Sequence, residues 1–336
     1  MRILVTGAAG FIGFHVANRL LRDGHDVVGL DSVNQYYDVR LKEARLGLLQ
    51  QQRNFEFVRA ALSDPEAMDQ LFDRAEFERV IHLAAQAGVR YSLERPDAYI
   101  TSNILGFLQV LEGCRYRHVP HLLYASSSSV YGANTHMPFS VHRGADHPLS
   151  MYGATKRSNE LMAHSYAYLF GLPTTGLRFF TVYGPWGRPD MVLFKFTKAI
   201  LDDRPINVYN NGHMKRDFTY VDDVVESVVR LMNIIPTPDE KWSSDQPDPS
   251  TSKAPFRLHN IGNQDPVELL EVIALLEEPL GKKAVKKLLP MQPGDVMATH
   301  ADVDSMQRAT GFLPRTSMRD GISRFVNWYK EFYGVS

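Results

Sequence analysis

The stretch "TGAAGFIGFH" (residues 6–15) spaces three glycines as G-x-x-G-x-x-G, at Gly7, Gly10 and Gly13. It follows the apolar run "RILV" and opens a segment with apolar residues at helical spacing, so it connects a predicted strand to a predicted helix. There Gly7 permits the tight turn, Gly10 lets the backbone approach a pyrophosphate, and Gly13 lets helix and strand pack closely. The helix start also favours an anion. The stretch predicts a phosphate-binding turn, the alternative being an ordinary strand-to-helix turn.

Asp31 ends the second predicted strand, "DVVGLD", 18 residues after Gly13. A carboxylate at that position can accept hydrogen bonds from a ribose diol, and it would repel a 2′-phosphate. The glycine turn and Asp31 together predict a dinucleotide site that prefers NAD to NADP. A surface aspartate unrelated to any ligand is the alternative.

Short apolar strands alternate with helical patterns from residue 2 to about Gly184. This alternation is typical of an α/β protein with a Rossmann-type doubly wound parallel sheet, whose strands all have their carboxyl ends at one edge. Residues 97–117 are predicted as one long helix, and residues 173–185 as one strand. We expect residues 1–184 to form a dinucleotide-binding domain.

The pattern loosens after Gly184. A helix is predicted over residues 188–205, then strand, turn and helix over 206–233, and an exposed loop over the Pro-, Ser- and Asp-rich residues 235–256. We expect residues 185–336 to form mainly a smaller C-terminal α+β substrate-binding region. Some of its segments could return to the large domain.

Composition limits the classes of function. The formal net charge of -1 gives no hint of a nucleic-acid or acidic-membrane partner. The single cysteine, Cys114, allows no internal disulfide, and no Cys/His cluster suggests a metal. The opening "MRILVTG" is too short for a signal-peptide core, and no apolar run approaches a membrane span. We therefore expect a cytoplasmic location.

The motif "YGATK" places Tyr152 and Lys156 four residues apart, on one face of a predicted helix. A desolvated lysine beside the phenol, together with a positive nicotinamide, can lower the tyrosine pKa from about 10 toward 7, which needs roughly 4 kcal/mol. The phenol then becomes a general base. Many helices carry this spacing as a solvated pair. Here it follows Ser127 by 25 residues, and Ser127 lies where the fifth predicted strand ends, at the ligand-binding edge of such a sheet.

Seven segments together carry a family resemblance that covers nearly the whole chain. They resemble the extended short-chain dehydrogenase/reductases, specifically the nucleotide-sugar epimerases and dehydratases. The last four look like the UDP-glucuronate 4-epimerases in particular. The segments are "TGAAGFIG", "HLAAQAGVRYS", "ASSSSVYG", "YGATK", "RFFTVYGPWGRPDM", "KRDFTYVDD" and "MQPGDV".

The resemblance implies NAD-dependent 4-epimerisation of UDP-glucuronate to UDP-galacturonate. The Tyr152 phenolate would take the proton of the sugar 4-hydroxyl while C4 gives a hydride to tightly bound NAD. The hydride would then return to the other face of the 4-keto sugar. Ser127 would share the hydrogen bond to the 4-hydroxyl, and Lys156 would also hold the nicotinamide ribose.

The same resemblance assigns the binding residues. The cofactor set comprises Gly7, Gly10, Phe11, Ile12, Gly13, Asp31, Asn34, Leu62, Leu83, Ala84, Ala85, Asn103, Tyr152, Lys156, Phe180 and Val182. The substrate set comprises Arg90, Ser127, Ser128, Ser129, Tyr152, Thr181, Arg188, Val208, Tyr209, Arg216, Gln292 and Asp295. Within the substrate set, Thr181 and Arg188 would hold the sugar carboxylate, and Tyr209 would stack on uracil.

Two features favour a uronate epimerase within this family. The dehydratases and decarboxylases carry carboxylates just after the residue that matches Ser127, whereas this sequence has Ser128 and Ser129, so proton abstraction at C5 lacks a base. Arg188 is a planar, bidentate partner for a sugar carboxylate. The alternatives are a flexible polar turn for the serines and a surface arginine for Arg188. Ala61 replaces the aspartate that usually binds adenine in the family.

Two other functions remain open at this point. A 4-epimerase of a neutral sugar, UDP-glucose or UDP-N-acetylglucosamine, would use the same catalytic residues. A non-catalytic NAD(P)-sensing protein would use the same sheet, although such proteins usually lose the Tyr/Lys pair. The resemblance also implies a homodimer that pairs through helices near residues 98–115 and 152–169.

Overall fold

A computed structural model of the protein describes residues 1–292 and 295–335. In chain order the strands are β1 (Arg2–Thr6), β2 (Asp26–Asp31), β3 (Phe55–Arg59), β4 (Arg79–His82), β5 (Leu122–Ser127), β6 (Thr174–Phe179), β7 (Thr181–Tyr183), β8 (Ile206–Val208), β9 (Lys215–Tyr220), β10 (Phe256–Ile261), β11 (Pro266–Glu268) and β12 (Lys286–Leu288).

The helices, also in chain order, are α1 (Phe11–Arg22), α2 (Val39–Gln50), α3 (Pro65–Asp73), α4 (Tyr91–Glu94), α5 (Pro96–Tyr99), α6 (Gly106–Tyr116), α7 (Met151–Phe170), α8 (Val192–Leu201), α9 (Val221–Met232), α10 (Leu269–Leu280), α11 (Asp304–Thr310) and α12 (Met318–Tyr333). A π-helical segment, Ile100–Leu105, lies between α5 and α6. None of the described helices combines the length and the apolar character needed to cross a bilayer.

Seven strands form the central sheet in the order β10-β6-β5-β4-β1-β2-β3, and all neighbours pair in parallel. This order reverses direction between β1 and β4, as in dinucleotide-binding folds. The predicted Rossmann-type doubly wound sheet is confirmed. Two smaller sheets, β11-β9-β7 and β12-β8, follow in the second half of the chain.

The central sheet is buried on both faces because its strands carry apolar residues at successive positions. Ile3 and Val5 pack into one core cluster, and Leu4 of the same strand packs into a second one on the opposite face. All three side chains have no solvent exposure. Such continuous apolar strands are typical of parallel sheets covered by helices on both sides.

Two segments beyond residue 184 join the large sheet layer. Strand β10 pairs with β6 and adds a seventh strand to the sheet. Helix α9 packs against α1 in the first core cluster, through residues such as Val224 and Val228. The domain division at residue 184 itself stays a prediction.

The predicted strand over 173–185 is two strands that belong to different sheets. Strand β6 ends at Phe179, and the amide of Phe180 donates to the carbonyl of Ile261 at the end of β10. The chain then leaves the central sheet, and Thr181 pairs with Phe218 of β9. The sequence shows one apolar run, but the change of sheet places Thr181 at the edge of the cleft described below.

The predicted long helix over 97–117 is also divided. Between α5 and α6 the backbone winds more loosely over Ile100–Leu105, and Asn103 lies in this segment. The Asn103 side chain accepts from the amide of Gln86 at 2.8 Å and donates to the Gln86 carbonyl at 3.0 Å. Single π-helical turns often occur at functional sites, and this one ties the helix to the loop after β4.

Candidate active site

A cleft of about 870 Å³ runs along the carboxyl ends of the parallel strands. Its wall on the larger side contains the glycine turn and the ends of β2, β5 and β6, and residues of β7, β9 and β11 complete the other side. The volume suits a large organic ligand, because ligand pockets span roughly 300–1,000 Å³.

The glycine turn lies at one end of the cleft. Gly7 adopts a positive φ of 75°, and a Cβ atom there would lie 2.7 Å from the amide nitrogen of Ala84. Helix α1 begins just after Gly10, and no described side chain caps its N-terminus. The first amides of α1 are therefore left for an anion.

Asp31 lies beside this turn with both carboxylate oxygens oriented by backbone amides. Its Oδ2 accepts from Ala9 at 3.1 Å and its Oδ1 accepts from Val33 at 2.8 Å. Each carboxylate oxygen can accept a further hydrogen bond, which a ribose diol could supply. Ala61 also lines the cleft, with the flanking Leu62 and Ser63. The turn and the fixed carboxylate fit a dinucleotide.

Ser127 and Tyr152 meet where β5 ends and α7 begins. The hydroxyl of Ser150 accepts from the amide of Gly153 at 3.0 Å, which caps α7 and places Tyr152 in its first turn. A Cβ atom at Gly153 would lie 2.6 Å from the carbonyl oxygen of Ser129. A glycine after the tyrosine therefore lets α7 approach the serine loop closely.

Burial is the largest cause of the pKa shifts of both Tyr152 and Lys156. The Lys156 ammonium donates to the carbonyl of Ala125 at 3.0 Å, and burial lowers its pKa to about 8. Burial raises the pKa of Tyr152, although the Ser127 hydroxyl and the Arg188 charge act against the rise. The prediction that Lys156, together with a positive nicotinamide, lowers the pKa of the phenol stays a prediction.

A fully buried ion pair supports these residues from behind. Arg178 of β6 donates to both carboxylate oxygens of Glu160, at 2.8 and 2.9 Å, and neither side chain is exposed. Burial raises the pKa of Glu160, but the Arg178 charge and hydrogen bonds outweigh it and hold the pKa below the ordinary value. Ser126, next to Ser127, donates to Glu160 at 2.6 Å. Glu160 follows Lys156 by one helical turn, so the network links β5, β6 and α7.

Arg188 lines the cleft with a carboxylate already beside it. Its Nε donates to Asp190 at 3.0 Å, and its Nη2 donates to the second carboxylate oxygen. Tyr36, from the loop after β2, donates to Asp190 at 3.2 Å. Burial lowers the pKa of Arg188, but Asp190 outweighs it, so the guanidinium stays charged. Thr181, Ser128 and Ser129 also line the cleft.

Arg90, Tyr209 and Asp295 meet at the far end of the cleft. The Arg90 guanidinium lies over the Tyr209 ring, 5.0 Å from its centre, and pairs with Asp295 at 3.3 Å. Arg216 donates to the carbonyls of Val296 and Met297, at 2.7 and 3.1 Å. Three separate loops therefore converge here, and the Arg90 side chain is half exposed.

Three predicted site residues do not line the cleft. Asn103 is buried behind it, Val208 is fully buried, and Gln292 lies outside the lining. All other residues of the two predicted sets lie on its wall. The sequence analysis missed several residues that also line it: Tyr36, Lys42, Gln86, Tyr91, Asp190 and Lys195. Asp190, two residues after Arg188, was the one that a search for charge partners could have found.

Comparison with known proteins agrees with this geometry. The sequence profile of the NAD dependent epimerase/dehydratase family matches residues 3–240. The chain belongs to this family. The match covers the glycine turn, Ser127, the Tyr/Lys pair and Arg188. Among the family's members, a probable UDP-glucuronate 4-epimerase of Rhizobium meliloti (strain 1021) is 51% identical over 334 residues, which cover 99% of this chain and 98% of the relative.

Solved structures of epimerases superpose over almost the whole chain. A UDP-glucuronic acid 4-epimerase of Bacillus cereus, in complex with UDP-glucuronic acid and NAD, is 33% identical with a TM-score of 0.88, and the match covers 99% of this chain and 100% of the other. A UDP-glucose 4-epimerase of Thermotoga maritima, with UDP-glucose, is 30% identical with a TM-score of 0.85 and the same coverage.

Proposed function

We propose that this member of the epimerase/dehydratase family interconverts UDP-glucuronate and UDP-galacturonate by NAD-dependent epimerisation at C4. The observation that carries the proposal is that Arg188 and Thr181 line the same cleft as Ser127 and Tyr152, at the carboxyl ends of the parallel strands. A sugar whose 4-hydroxyl lies at Tyr152 would therefore have its C5 carboxylate within reach of Arg188. The substrate of the Bacillus cereus relative, UDP-glucuronic acid, is such a sugar.

NAD would be held by the glycine turn, by Asp31 and by Lys156. When bound, it supplies hydride chemistry at C4 and is regenerated in each turnover. The positive nicotinamide, together with the Lys156 ammonium, would favour the phenolate. Tyr152 then takes the proton of the 4-hydroxyl as a general base, and Ser127 shares that hydrogen bond. The same two groups return the proton when the opposite epimer forms.

The serine loop supports epimerisation without elimination or loss of the carboxylate. Ser128 and Ser129 line the cleft beside Ser127, where the related dehydratases and decarboxylases place carboxylate bases. A hydroxyl is a poor base at neutral pH, so the C5 proton stays in place. Arg188 and Thr181 would also hold the carboxylate so that its bond to C5 does not align with the π orbital of the 4-keto group. Decarboxylation needs that alignment and is therefore disfavoured.

Proton NMR of the purified protein with UDP-glucuronate and no added NAD tests the reaction and the retained cofactor together. We expect UDP-galacturonate to appear, recognised by its small H3–H4 coupling. If UDP-glucuronate stays unchanged even with added NAD while UDP-glucose or UDP-N-acetylglucosamine is converted, the neutral-sugar function replaces this one.

Substitution of Arg188 tests the carboxylate site itself. Arg188→Ala should lower kcat/KM for UDP-glucuronate about 100-fold, the size of a lost charge-assisted hydrogen-bond pair, and should affect UDP-glucose far less. The single variant also leaves Asp190 unpaired, and that carboxylate would repel the uronate. The matched control is the double variant Arg188→Ala/Asp190→Asn, which removes the repulsion. Equal losses for both sugars in the double variant would contradict the assignment.

A second copy of this chain is the partner we propose for the outer faces of α6 and α7. Leu161, Tyr168 and Leu169 of α7 are 55%, 69% and 66% exposed, and Tyr116 at the end of α6 is 61% exposed. Several exposed apolar side chains on two adjacent helices suit a helical dimer interface. Light scattering should give a dimer mass, and the double variant Leu161→Glu/Leu169→Glu should give a monomer mass.

The cytoplasmic location stays a prediction.

A further inference from the structure

The loop that leads into Arg188 is held by an unusual set of hydrogen bonds. Three consecutive carbonyl oxygens of this loop, those of Pro185, Trp186 and Gly187, each accept from a side chain of the N-terminal half. His15 binds the Pro185 carbonyl at 2.9 Å. Arg45 Nη2 donates to the carbonyls of Trp186 and Gly187, at 2.6 and 3.2 Å. Neither His15 nor Arg45 lines the cleft among the described residues.

Arg45 also reaches the glycine turn. Its Nη1 donates to the carbonyl of Ala9 at 2.9 Å and to the Tyr37 hydroxyl at 2.8 Å. One guanidinium on α2 therefore joins the turn that faces the cofactor to the loop that carries Arg188. His15 makes a similar link, because it lies on α1, the helix that the glycine turn opens.

These contacts are costly, which argues against a role in packing alone. Arg45 has no solvent exposure, and its four hydrogen bonds go to neutral oxygens. Burial lowers the pKa of Arg45, and it lowers the pKa of His15 to about 4. Since a carbonyl only accepts, the neutral His15 ring carries its proton on Nε2. Apolar side chains would fill the same space at a lower desolvation cost.

The backbone of the loop shows why it needs to be held. Trp186 has a φ of 61°, in the left-handed region that a bulky residue rarely adopts. Its indole ring is fixed by Trp328 and Phe332 of α12, with ring centres 5.3 and 5.0 Å away. Strained backbone of this kind persists only where the surroundings determine it, and it concentrates at binding and catalytic sites.

Asp190, two residues after Arg188, is also held by a side chain of the N-terminal half of the chain. Tyr36 donates to Asp190, and Asp190 binds the Nε and Nη2 groups of Arg188. The adjacent tyrosine, Tyr37, binds Arg45. The segment from Tyr36 to Arg45 thus contacts the Arg188 loop both before and after the arginine.

We propose that Arg45 and His15 are positioning residues that fix the 184–187 loop and thereby aim the Arg188 guanidinium at the sugar carboxylate. The preference for a charged sugar is then set partly by residues that do not touch the sugar. This inference rests on the proposed function, because it concerns recognition of the uronate carboxylate.

Equilibrium binding separates this role from a general structural one. A Tyr152→Phe background with saturating NAD prevents turnover, and calorimetry then gives the Kd of UDP-glucuronate and of UDP-glucose. Arg45→Lys keeps the charge but cannot hold all the carbonyls. We expect it to raise the Kd of UDP-glucuronate about tenfold, the effect of one weakened charge-assisted hydrogen bond, and that of UDP-glucose less than about twofold.

His15 offers a matched pair of variants. His15→Phe keeps a ring beside Phe11 and Phe14, its present edge-on neighbours, but removes the donor. It should raise the Kd of UDP-glucuronate selectively, and His15→Gln, which restores a donor at similar reach, should recover most of the affinity. Arg79→Lys is the control, since Arg79 binds the Met232 carbonyl at 3.0 Å, away from this loop. It should leave both Kd values unchanged.

The outcomes distinguish the inference from the proposed function. The inference is overturned, while the proposed function stands, if Arg45→Lys raises the Kd of both sugars equally. The same holds if it lowers only the amount of NAD retained by the purified protein, measured from the absorbance of the released nucleotide. If the wild-type protein neither converts nor prefers UDP-glucuronate, the proposed function fails and the inference fails with it.

Discussion

The two ends of the substrate cleft are built differently. The catalytic corner, formed by Ser127, Tyr152 and Lys156, is backed by the fully buried Glu160–Arg178 pair. The mouth at the other end, formed by Arg90, Tyr209 and Asp295, consists of partly exposed loop residues, with Arg90 in contact with the other two. The difference indicates that the corner is fixed before substrate binds. If the nucleotide binds at the mouth as proposed, the mouth must exchange its internal contacts for contacts with it. Changes at the corner should affect turnover or stability, and changes at the mouth should affect affinity.

The largest effect is expected at the corner. Tyr152→Phe should lower kcat about 10³-fold, because it removes the general base while keeping the ring. The Kd of the UDP-sugar should change less than about twofold, since the mouth is untouched. Single-turnover kinetics and calorimetry would measure the two quantities. A parallel loss of affinity would show that the two ends are not separate.

The buried pair behind the corner should give the next largest effect. Glu160→Gln leaves Arg178 without a counter-charge and should cost about 3 kcal/mol of unfolding free energy. Chemical denaturation would measure the loss. The control is Glu56→Gln at an exposed ion pair with Arg2, where less than about 1 kcal/mol is expected. Equal losses at both sites would mean that the corner is not preorganised by this pair.

A smaller effect is expected at the mouth. Tyr209→Ala should raise KM about tenfold, through the loss of stacking on a base, and should leave kcat unchanged. Tyr209→Phe keeps the ring and should behave as wild type. Steady-state kinetics of all three proteins decides the matter. A fall in kcat without a change in KM would place Tyr209 with the catalytic residues instead.

The smallest effect is expected on the stability of the fold at acid pH. Burial, with the nearby Lys156 charge, lowers the pKa of His82 at the corner from 6.5 to about 3. As the pH falls, His82 therefore binds a proton in the unfolded chain before it does in the folded one. Its contribution to stability should be fully present above pH 6.5 and should decrease as the pH drops toward 3. Melting temperatures from pH 7.5 to 5 should fall less steeply in His82→Asn than in wild type. Parallel curves would show that His82 does not contribute.

Much of the glycine turn and of the corner could be predicted from sequence because the signals are local. The glycine spacing, Asp31 at a strand end, and the four-residue step from Tyr152 to Lys156 each lie within one element or turn. The shift in the Tyr152 pKa could not be predicted, because its sign depends on how deeply the phenol is buried. The packing around the residue, and not the motif, decides the direction of the shift.

The contacts around Arg188 could not be predicted because they join distant segments. The sequence pattern did not predict helix α2, because Lys42 and Arg45 lie on its buried face. An amphipathic pattern would place apolar residues at these positions. The partners Tyr36 and Asp190 lie 154 residues apart. Strand β10 was equally hidden, since its place beside β6 depends on a return of the chain after a long irregular stretch.

The late return of the chain to the central sheet, as strand β10, has a consequence for its synthesis on the ribosome. Strand β6 is complete at Phe179, but its outer partner, β10, ends only at Ile261. For several seconds of elongation the nascent sheet exposes an apolar edge with unpaired amides, the kind of surface to which other strands add. The interval ends when β10 emerges, so a chaperone that shields nascent edges would act on this protein within that stretch.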